Sequence, residues 1–553
     1  TNTVNNVAFS YSNQVEPTAG YHVLTVNYYD NYDYTGAPSP IPSTVGDSGD
    51  VDVYYDDTIK PKGLPTGSWV RILETAGQNN GIKSYSLYDI KARPVRVKSI
   101  NAASGYTQTD TKYNFIGNPL YTKTQHKKDA SALLVTTKDV FTYTDQSLPL
   151  KHTHKINNGS EQLLSLNEYD ALGRLISKKV GGNDISGGAA LQKVDYKYNV
   201  RGWLTEINEI SNLAISGAPM DLFAFKINYT SVDDDINGAV EPLYNGNIAE
   251  TFWRTSSDNI KRKYGYSYDY QNRLLDAYYQ KPNTSVPRAD SYSAHYSYDR
   301  NGNILSLERN GEQDIANAVI AIDDLIYTYD DGNKLMKVRD NEVSPAGYND
   351  AHTNAMVDDF EYDSYGNLIL DKDKEITNID YNHLNLPTKI TFSSGGKIEY
   401  FYDATGIKLK KKVTDGTTIT TTEYMDGFQY TANAIDFFPH AEGYVKAVPT
   451  GLGGPGGPTS FSFKYVFNYT DHLGNIRLKY AQDPSNNNQI SILEEDHYYP
   501  YGLKHNGYTG SHRVFAKTEL PGIVLTPVNP FLGDSYKYKF GGKEYDDTFD
   551  INT

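Results

Sequence analysis

The feature that most constrains this chain is a recurring unit: Tyr-x-Tyr-Asp, a short gap, Gly-Asn and an apolar residue. It is cleanest at Tyr296, Tyr298, Asp299, Gly302, Asn303 and Ile304. A unit repeated along a chain fixes the architecture before any single residue is interpreted. With the Asp or Asn after the second aromatic as register mark, further copies stand at Tyr169, Asp170 and Gly173, at Tyr362, Asp363 and Gly366, and at Tyr402, Asp403 and Gly406. Tyr198-Asn199 with Gly202 and Tyr113-Asn114 with Gly117 exchange Asp for Asn. Tyr268-Asp269 and Tyr381-Asn382 carry Asn272 and Asn385 at the glycine position, Tyr329-Asp330 has Gly332 one place early, and Tyr88-Asp89 has neither.

Each copy reads as a β-hairpin. Its aromatics alternate with small or polar residues, the period of two that sends one set of side chains to one face of a sheet. Asp then bonds its own downstream backbone, and Gly or Asn accepts the positive φ of a tight turn. The second strand starts on an apolar residue, as at Leu175, Ile304, Leu368 and Ile476. The expected fold is all-β: tandem hairpins in one long antiparallel sheet.

Tyrosine dominates the apolar material, 49 residues against 19 Phe and 3 Trp, so the core must offer partners to many hydroxyls. The net charge of −16 argues against a nucleic-acid partner, which would need clustered Lys and Arg. The basic run at 407–413 is expected to divide its lysines between the two strand faces and to lie in solvent. The chain has no cysteine, which removes disulfides and thiol chemistry. No apolar run reaches the length of a membrane span, and the first residues lack the regions of a signal peptide, so the chain is expected to have been processed or to begin within a longer protein.

The expected organisation is an N-terminal segment at 1–65, repeats at 66–445, a Gly/Pro-rich loop at 446–465 around VPTGLGGPGGPTS, and a distinct C-terminal part at 466–553. In that last part, Asp471, His472, Leu473, Gly474, Asn475 and Arg477 form DHLGNIRL, followed by Tyr498-Tyr499-Pro500-Tyr501-Gly502-Leu503 and by the segment from Tyr538 to Glu544. These motifs resemble the Rhs-associated core. The upstream units are similar to the Rhs/YD-repeat family, especially its Bacteroidetes versions, which DGFQY at 426–430, DFFPHAEGYV at 436–445 and YNGNIAETFW at 244–253 also resemble.

The resemblance implies a sheet that spirals into a hollow cocoon, as in the shells of polymorphic toxins. It implies a container and delivery scaffold, secreted or on the bacterial surface, whose partners are its own C-terminal effector and a secretion machinery, with export by the type IX route. Cleavage chemistry and effector are then expected beyond Thr553 or absent, since the only Asp-Pro, Asp483-Pro484, has the wrong neighbours for the family's cleavage motif. The alternative is a surface adhesin whose tyrosines stack on glycans and which encloses nothing.

No nucleophile elbow, phosphate loop or zinc helix is present, so no catalytic residue and no cofactor are expected. Asp233, Asp235, Asn237 and Glu241 match the first half of a calcium loop, with Gly238 for its sharp turn, but Tyr244 stands where the closing Glu belongs. An acidic surface turn is the expected reading and calcium the alternative. His152 and His154 would share one strand face and could share a metal, with surface histidines the expectation. Glu494, Glu495, Asp496 and His497 are expected on a solvated edge.

Overall fold

The computed structural model describes residues 20–505 apart from 75–79, 215–218, 234–237, 285–288, 313, 315–318, 343, 353–355, 452–459 and 484–488. Outside that span it describes 2–4, 7–9, 11, 513–516, 524–527, 544–546 and 551–552. The fold is all-β, built of one 20-stranded and one 13-stranded antiparallel sheet with small two-stranded pairs beside them. Pro500–Gly502 is a single 3-10 turn.

The 20-stranded sheet starts with Thr25–Tyr29 against Pro65–Arg71 and continues strand by strand, in chain order, to Leu335–Asp340. It curls into a barrel-like ring. Registers join every consecutive pair, and among the described residues none directly joins the first strand to the last. The 13-stranded sheet runs from Phe360–Tyr362 to Gln489–Glu495. The single long sheet expected from the repeats is thus interrupted once in its backbone pairing. Asp359 bridges the gap: its N–H reaches the Met336 carbonyl at 2.9 Å, and its carboxylate accepts from the Val338 N–H at 3.0 Å.

One turn recurs throughout. At Asp170 the N–H donates to the Arg174 carbonyl (3.0 Å), and the Gly173 N–H donates back to the Asp170 carbonyl (2.9 Å). Oδ1 accepts from the N–H groups of Leu172 and Arg174, both at 2.9 Å, while Oδ2 takes the Arg174 guanidinium at 2.7 Å. Those donors hold the Asp170 carboxyl below its ordinary range. Asn199 makes the same two Oδ1 contacts, to Arg201 and Trp203. In the copies with an uninterrupted turn the third position after the Asp carries positive φ, which explains those without a glycine in register: Asn333 (φ 64°), not Gly332, fills it after Asp330, and Ala92 (φ 58°) fills it after Asp89.

Beyond each turn the register slips by one residue: Ser297 faces Ser306, but Tyr298 faces Ile304, which leaves Leu305 over. The same slip follows Tyr169 and Tyr268. A bulge repeated in hairpin after hairpin of the Tyr-Asp type raises the local twist, and so the ribbon curls.

The repeat tyrosine ties each hairpin to its predecessor. Its hydroxyl donates to the carbonyl of the residue that opens the previous hairpin's second strand: Tyr113 to Pro94, Tyr169 to Pro149, Tyr198 to Leu175, Tyr329 to Ile304, Tyr362 to Leu335 and Tyr402 to Pro387, all at 2.7–3.1 Å. This answers the demand for hydroxyl partners that the tyrosine content raised. Tyr329→Phe should therefore cost about 1 kcal/mol, the net value of one such bond, while keeping the ring's packing. Thermal shift against wild type checks it, and a loss no larger than for an exposed tyrosine such as Tyr365 would remove the joint's role.

The joints expose copies that the sequence reading passed over. Tyr88 bonds the Pro65 carbonyl, and Asp30 takes the Gly63 N–H at 2.6 Å, so Tyr29-Asp30 opens a repeat with a long insert. Tyr143-Thr144, Tyr229 and Tyr498-Tyr499 behave likewise, bonding the carbonyls of Pro119, Leu204 and Ile476. The repeats consequently begin inside the segment 1–65 and run on through Tyr498. The segment assigned to a loop at 446–465 is mostly hairpin, because Gly443–Gly451 pairs with Ser460–Thr470; residues 452–459 lie outside the described residues.

The second sheet lies along the first, hairpin upon hairpin. A backbone bridge joins Ile72 to Asp403, flanked by Leu73 N–H to the Tyr402 carbonyl and Ala404 N–H to the Arg71 carbonyl, both 2.8 Å. Further along, Lys128 pairs with Glu423, Lys178 with Glu442 (2.6 Å), and the Tyr469 hydroxyl donates to Gln192 (2.7 Å). The largest apolar cluster spans both sheets, from Phe223, Trp253 and Tyr264 to Phe467, Tyr480 and Tyr499. Among the described residues no helix is long and apolar enough to cross a membrane, which leaves membrane-crossing strands untested.

Candidate functional site: the buried polar junction under the core motifs

The DHLGNIRL and HYYPYGL motifs close the second sheet over the first. Asp471 makes the repeat's turn, accepting from the N–H groups of Leu473 (3.0 Å) and Asn475 (3.1 Å), with Gly474 at φ 82°. Asn475 Nδ2 reaches its other oxygen at 3.2 Å. Leu473 is exposed at the tip, while the His472 ring stacks on Phe225 of the first sheet, centroids 5.4 Å apart. HYYPYGL is the same turn with Tyr499 in the Asp position: its N–H donates to the Leu503 carbonyl at 2.8 Å, and Gly502 (φ 96°) donates back at 3.0 Å. Pro500 opens this turn, where a fixed φ suits it.

Arg477 holds the centre. Its Nε donates to the Asp496 carbonyl (3.1 Å), one terminal nitrogen to Asp471 (3.4 Å) and the other to His497 Nδ1 (3.1 Å), and the guanidinium lies 5.2 Å from the Trp253 ring centroid. Because Arg477 can only donate, His497 Nδ1 must accept, which puts the ring proton on Nε2, where it meets Glu495 at 2.7 Å. Glu495 also accepts from Thr255 (2.9 Å) and Ser257 of the first sheet. The Tyr264 hydroxyl donates to the Tyr292 carbonyl (2.8 Å), so it accepts from Nε2–H of His505, also 2.8 Å away. The His505 ring stacks on Tyr292 at 4.0 Å. Lys479 pairs with Glu494, and Lys504 with Asp496 at 2.8 Å.

This overturns the expected solvated edge at 494–497: Glu494, Asp496 and His497 are buried, because the second sheet lays this edge against the first. Burial sets the protonation states. It raises the carboxyls of Glu495 and Asp496, the latter helped by Glu494, and it pushes His497 and His505 well below the ordinary imidazole value, followed by Arg477 for His497 and by His497 itself for His505.

The His497–Glu495 contact has the form of a base and its orienting carboxylate, but the other ring nitrogen faces a guanidinium rather than a nucleophile. The arrangement fastens two sheets.

The remaining sequence candidates fall elsewhere. The Asp233 carboxylate is taken by Lys226, Glu241 is exposed, and Asp235 and Asn237 lie outside the described residues. His152 pairs with Asp139 at 2.7 Å, whereas His154 is buried against the Tyr465 hydroxyl, also 2.7 Å, so the two histidines serve different partners. Among the described residues no group of three or more His, Asp or Glu is placed to hold a metal. The basic run is not solvated as expected: Lys411 is buried against Glu544 at 2.7 Å, and Lys408 reaches the same carboxylate at 3.3 Å. Despite its burial, Glu544 is held below the usual carboxylate range by Lys411. The repeat and core glycines and aspartates are turn formers, and what sequence reasoning missed was the partnership of His497, His505, Trp253 and Tyr264 across the sheets. Their only sequence signal was the shared position of these rings beside otherwise regular repeats.

No family model matches the chain, and no curated protein matches it. Among solved structures it is similar to TcdB2-TccC3 without its hypervariable C-terminal region (13% identity, TM-score 0.47, 90% of this chain and 25% of that one). TcdB2-TccC3-Cdc42 matches at 14% identity with TM-score 0.48 over the same shares. The Photorhabdus luminescens Tc holotoxin pore matches at 14% identity with TM-score 0.37, over 89% of this chain and 26% of that one. The chain spans about a quarter of the length of these structures.

Proposed function

We propose that this chain is the wall of a container, a shell and delivery scaffold for a C-terminal effector, and that it acts by enclosure rather than catalysis. The observation that carries the reading is the ring of 20 strands. At about 4.8 Å per strand and a tilt near 40°, 20 strands curled fully round would enclose a space about 40 Å across, whereas about eight strands is the size that inward side chains can fill. Strand edges paired within the ribbon, and one sheet laid along the other, support a sealed wall. The resemblance to the Rhs core supports an effector as the passenger and favours a location outside the producing cell or on its surface, which fractionation and surface proteolysis would test. Cryo-electron microscopy of the purified chain should show a lumen of low density inside a continuous wall; a solid rod would overturn the reading.

An adhesin remains the second reading because aromatic turn tips are exposed, Phe115, Tyr270 and Tyr365 each by more than 80%. A glycan array that reports binding lost in Tyr270→Ala and Tyr365→Ala would favour it.

A further inference from the structure

Buried histidines gather where the two sheets meet. His126 is anchored in the first sheet by Nδ1, 2.8 Å from Thr107 Oγ1 of the neighbouring strand, and reaches the second sheet with Nε2, 2.9 Å from the Tyr430 hydroxyl, and with its ring, which stacks on Phe428 at 4.0 Å. His154 bonds Tyr465 across the same seam. At the far end, His505 bonds Tyr264, and His497 lies 5.9 Å from Trp253 while bonded to Glu495, whose other partners belong to the first sheet. The geometry points to an acid-operated joint: these four imidazoles hold the second sheet on the first only while uncharged, and their protonation parts the two sheets without unfolding either.

The surroundings favour that outcome at each site. His126 faces Tyr430, the Lys128–Glu423 pair and Asp426, which is too weak a counter-charge to offset burial, so the ring is pushed down to about 4. His154 faces Tyr465, the His152–Asp139 pair and the half-buried His440, whose Nε2 is shielded from solvent and which is pushed down to about 3. The His497–His505 end faces Arg477, Arg262, Asp258, Glu495 and Asp496, with Tyr264, Tyr279, Tyr292 and Tyr499 around the His505 ring. Two guanidiniums there repel any added proton. A cavity of about 620 Å³ lined by His126, Tyr106 and Tyr424 gives water a route to the seam.

The sign follows from linkage. A freed imidazole titrates near 6.5 and the buried one lower, so opening takes up protons. The joint is at full strength above pH 6.5, weakens as pH falls below it, and for His126 stops weakening near pH 4. Each histidine that charges on opening raises the opening equilibrium about tenfold per pH unit within that window. Ordinary carboxylates act mainly below about pH 4.5. Glu495 and Asp496, raised by burial, release protons on opening and so oppose the histidines at their end of the seam, which leaves the His126 end the cleaner readout.

Hydrogen exchange of the whole chain at pH 7.5 and pH 5, corrected for intrinsic exchange, tests this. The seam amides of Leu73 and Ala404 should lose protection at least tenfold at the lower pH, while amides within each sheet keep theirs. His126→Gln and His505→Gln keep a neutral hydrogen-bonding group and should flatten that dependence. Seam protection equal at both pH values, or lost together with that of the sheets, overturns the joint. The wild-type profile decides this even where a variant fails to fold.

Discussion

Lys263→Met is expected to destabilise the region around it by about 3–5 kcal/mol, the range for removing one partner of a buried ion pair. Lys263 and Glu250 are both fully buried and bonded to each other. The Lys263 ammonium also donates to the Asp233 carbonyl at 2.7 Å. Glu250 keeps two further donors, Asn228 Nδ2 at 2.8 Å and the Asp233 N–H at 2.7 Å. These polar groups orient the carboxylate without neutralising it, so methionine, although it fits the space and suits the Phe252 ring nearby, leaves a buried negative charge. The double variant Lys263→Met/Glu250→Gln should recover most of the loss, since the amide still accepts from Asp233 and carries no charge. Native-state hydrogen exchange over 223–268 reads both. A single variant within about 1 kcal/mol of wild type, or a double variant no better than the single, would show that the pair's charge is not what the site depends on.

That pair also marks where the sequence stops being readable. The hairpins were legible because each needs only local chemistry: an oxygen at the Asp position to cap two N–H groups, and a residue tolerant of positive φ three places on. Where another group met the same need, the copy was hidden. Thr144 caps the Leu148 N–H with its hydroxyl at 3.2 Å, and Asp30 caps Gly63 across an insert. Period-two alternation predicts which side chains share a face, but not that a second sheet will cover one. Lys411, Glu494 and His497 looked solvated for that reason, and their burial is a property of the stacking alone. Even the bulge that makes the ribbon curl costs only one unpaired residue, such as Leu305, which no alternation pattern flags.

Arg477→Met should detach the end of the second sheet, at a cost again of about 3–5 kcal/mol. The guanidinium serves the Asp496 carbonyl, Asp471 and His497 at once and packs by Trp253, and no other cation among the described contacts reaches all three. Without it the Asp471 carboxylate retains only turn donors, and His497 Nδ1 faces an apolar chain. Arg477→Lys should recover little, since an ammonium is a point charge and cannot span the three acceptors as a planar fork does. The variant has a second signature. Burial is the first cause of the low His497 value and Arg477 the second, so removing the cation should move that histidine's titration upward, toward the freed imidazole, and lessen its share of the seam's pH dependence. Exchange over 489–505 and over 250–268 should rise together, because both sheets lose the same fastening. If only 489–505 loosened, Arg477 would be a local turn residue, and the junction would be held by Glu495 and His505 instead.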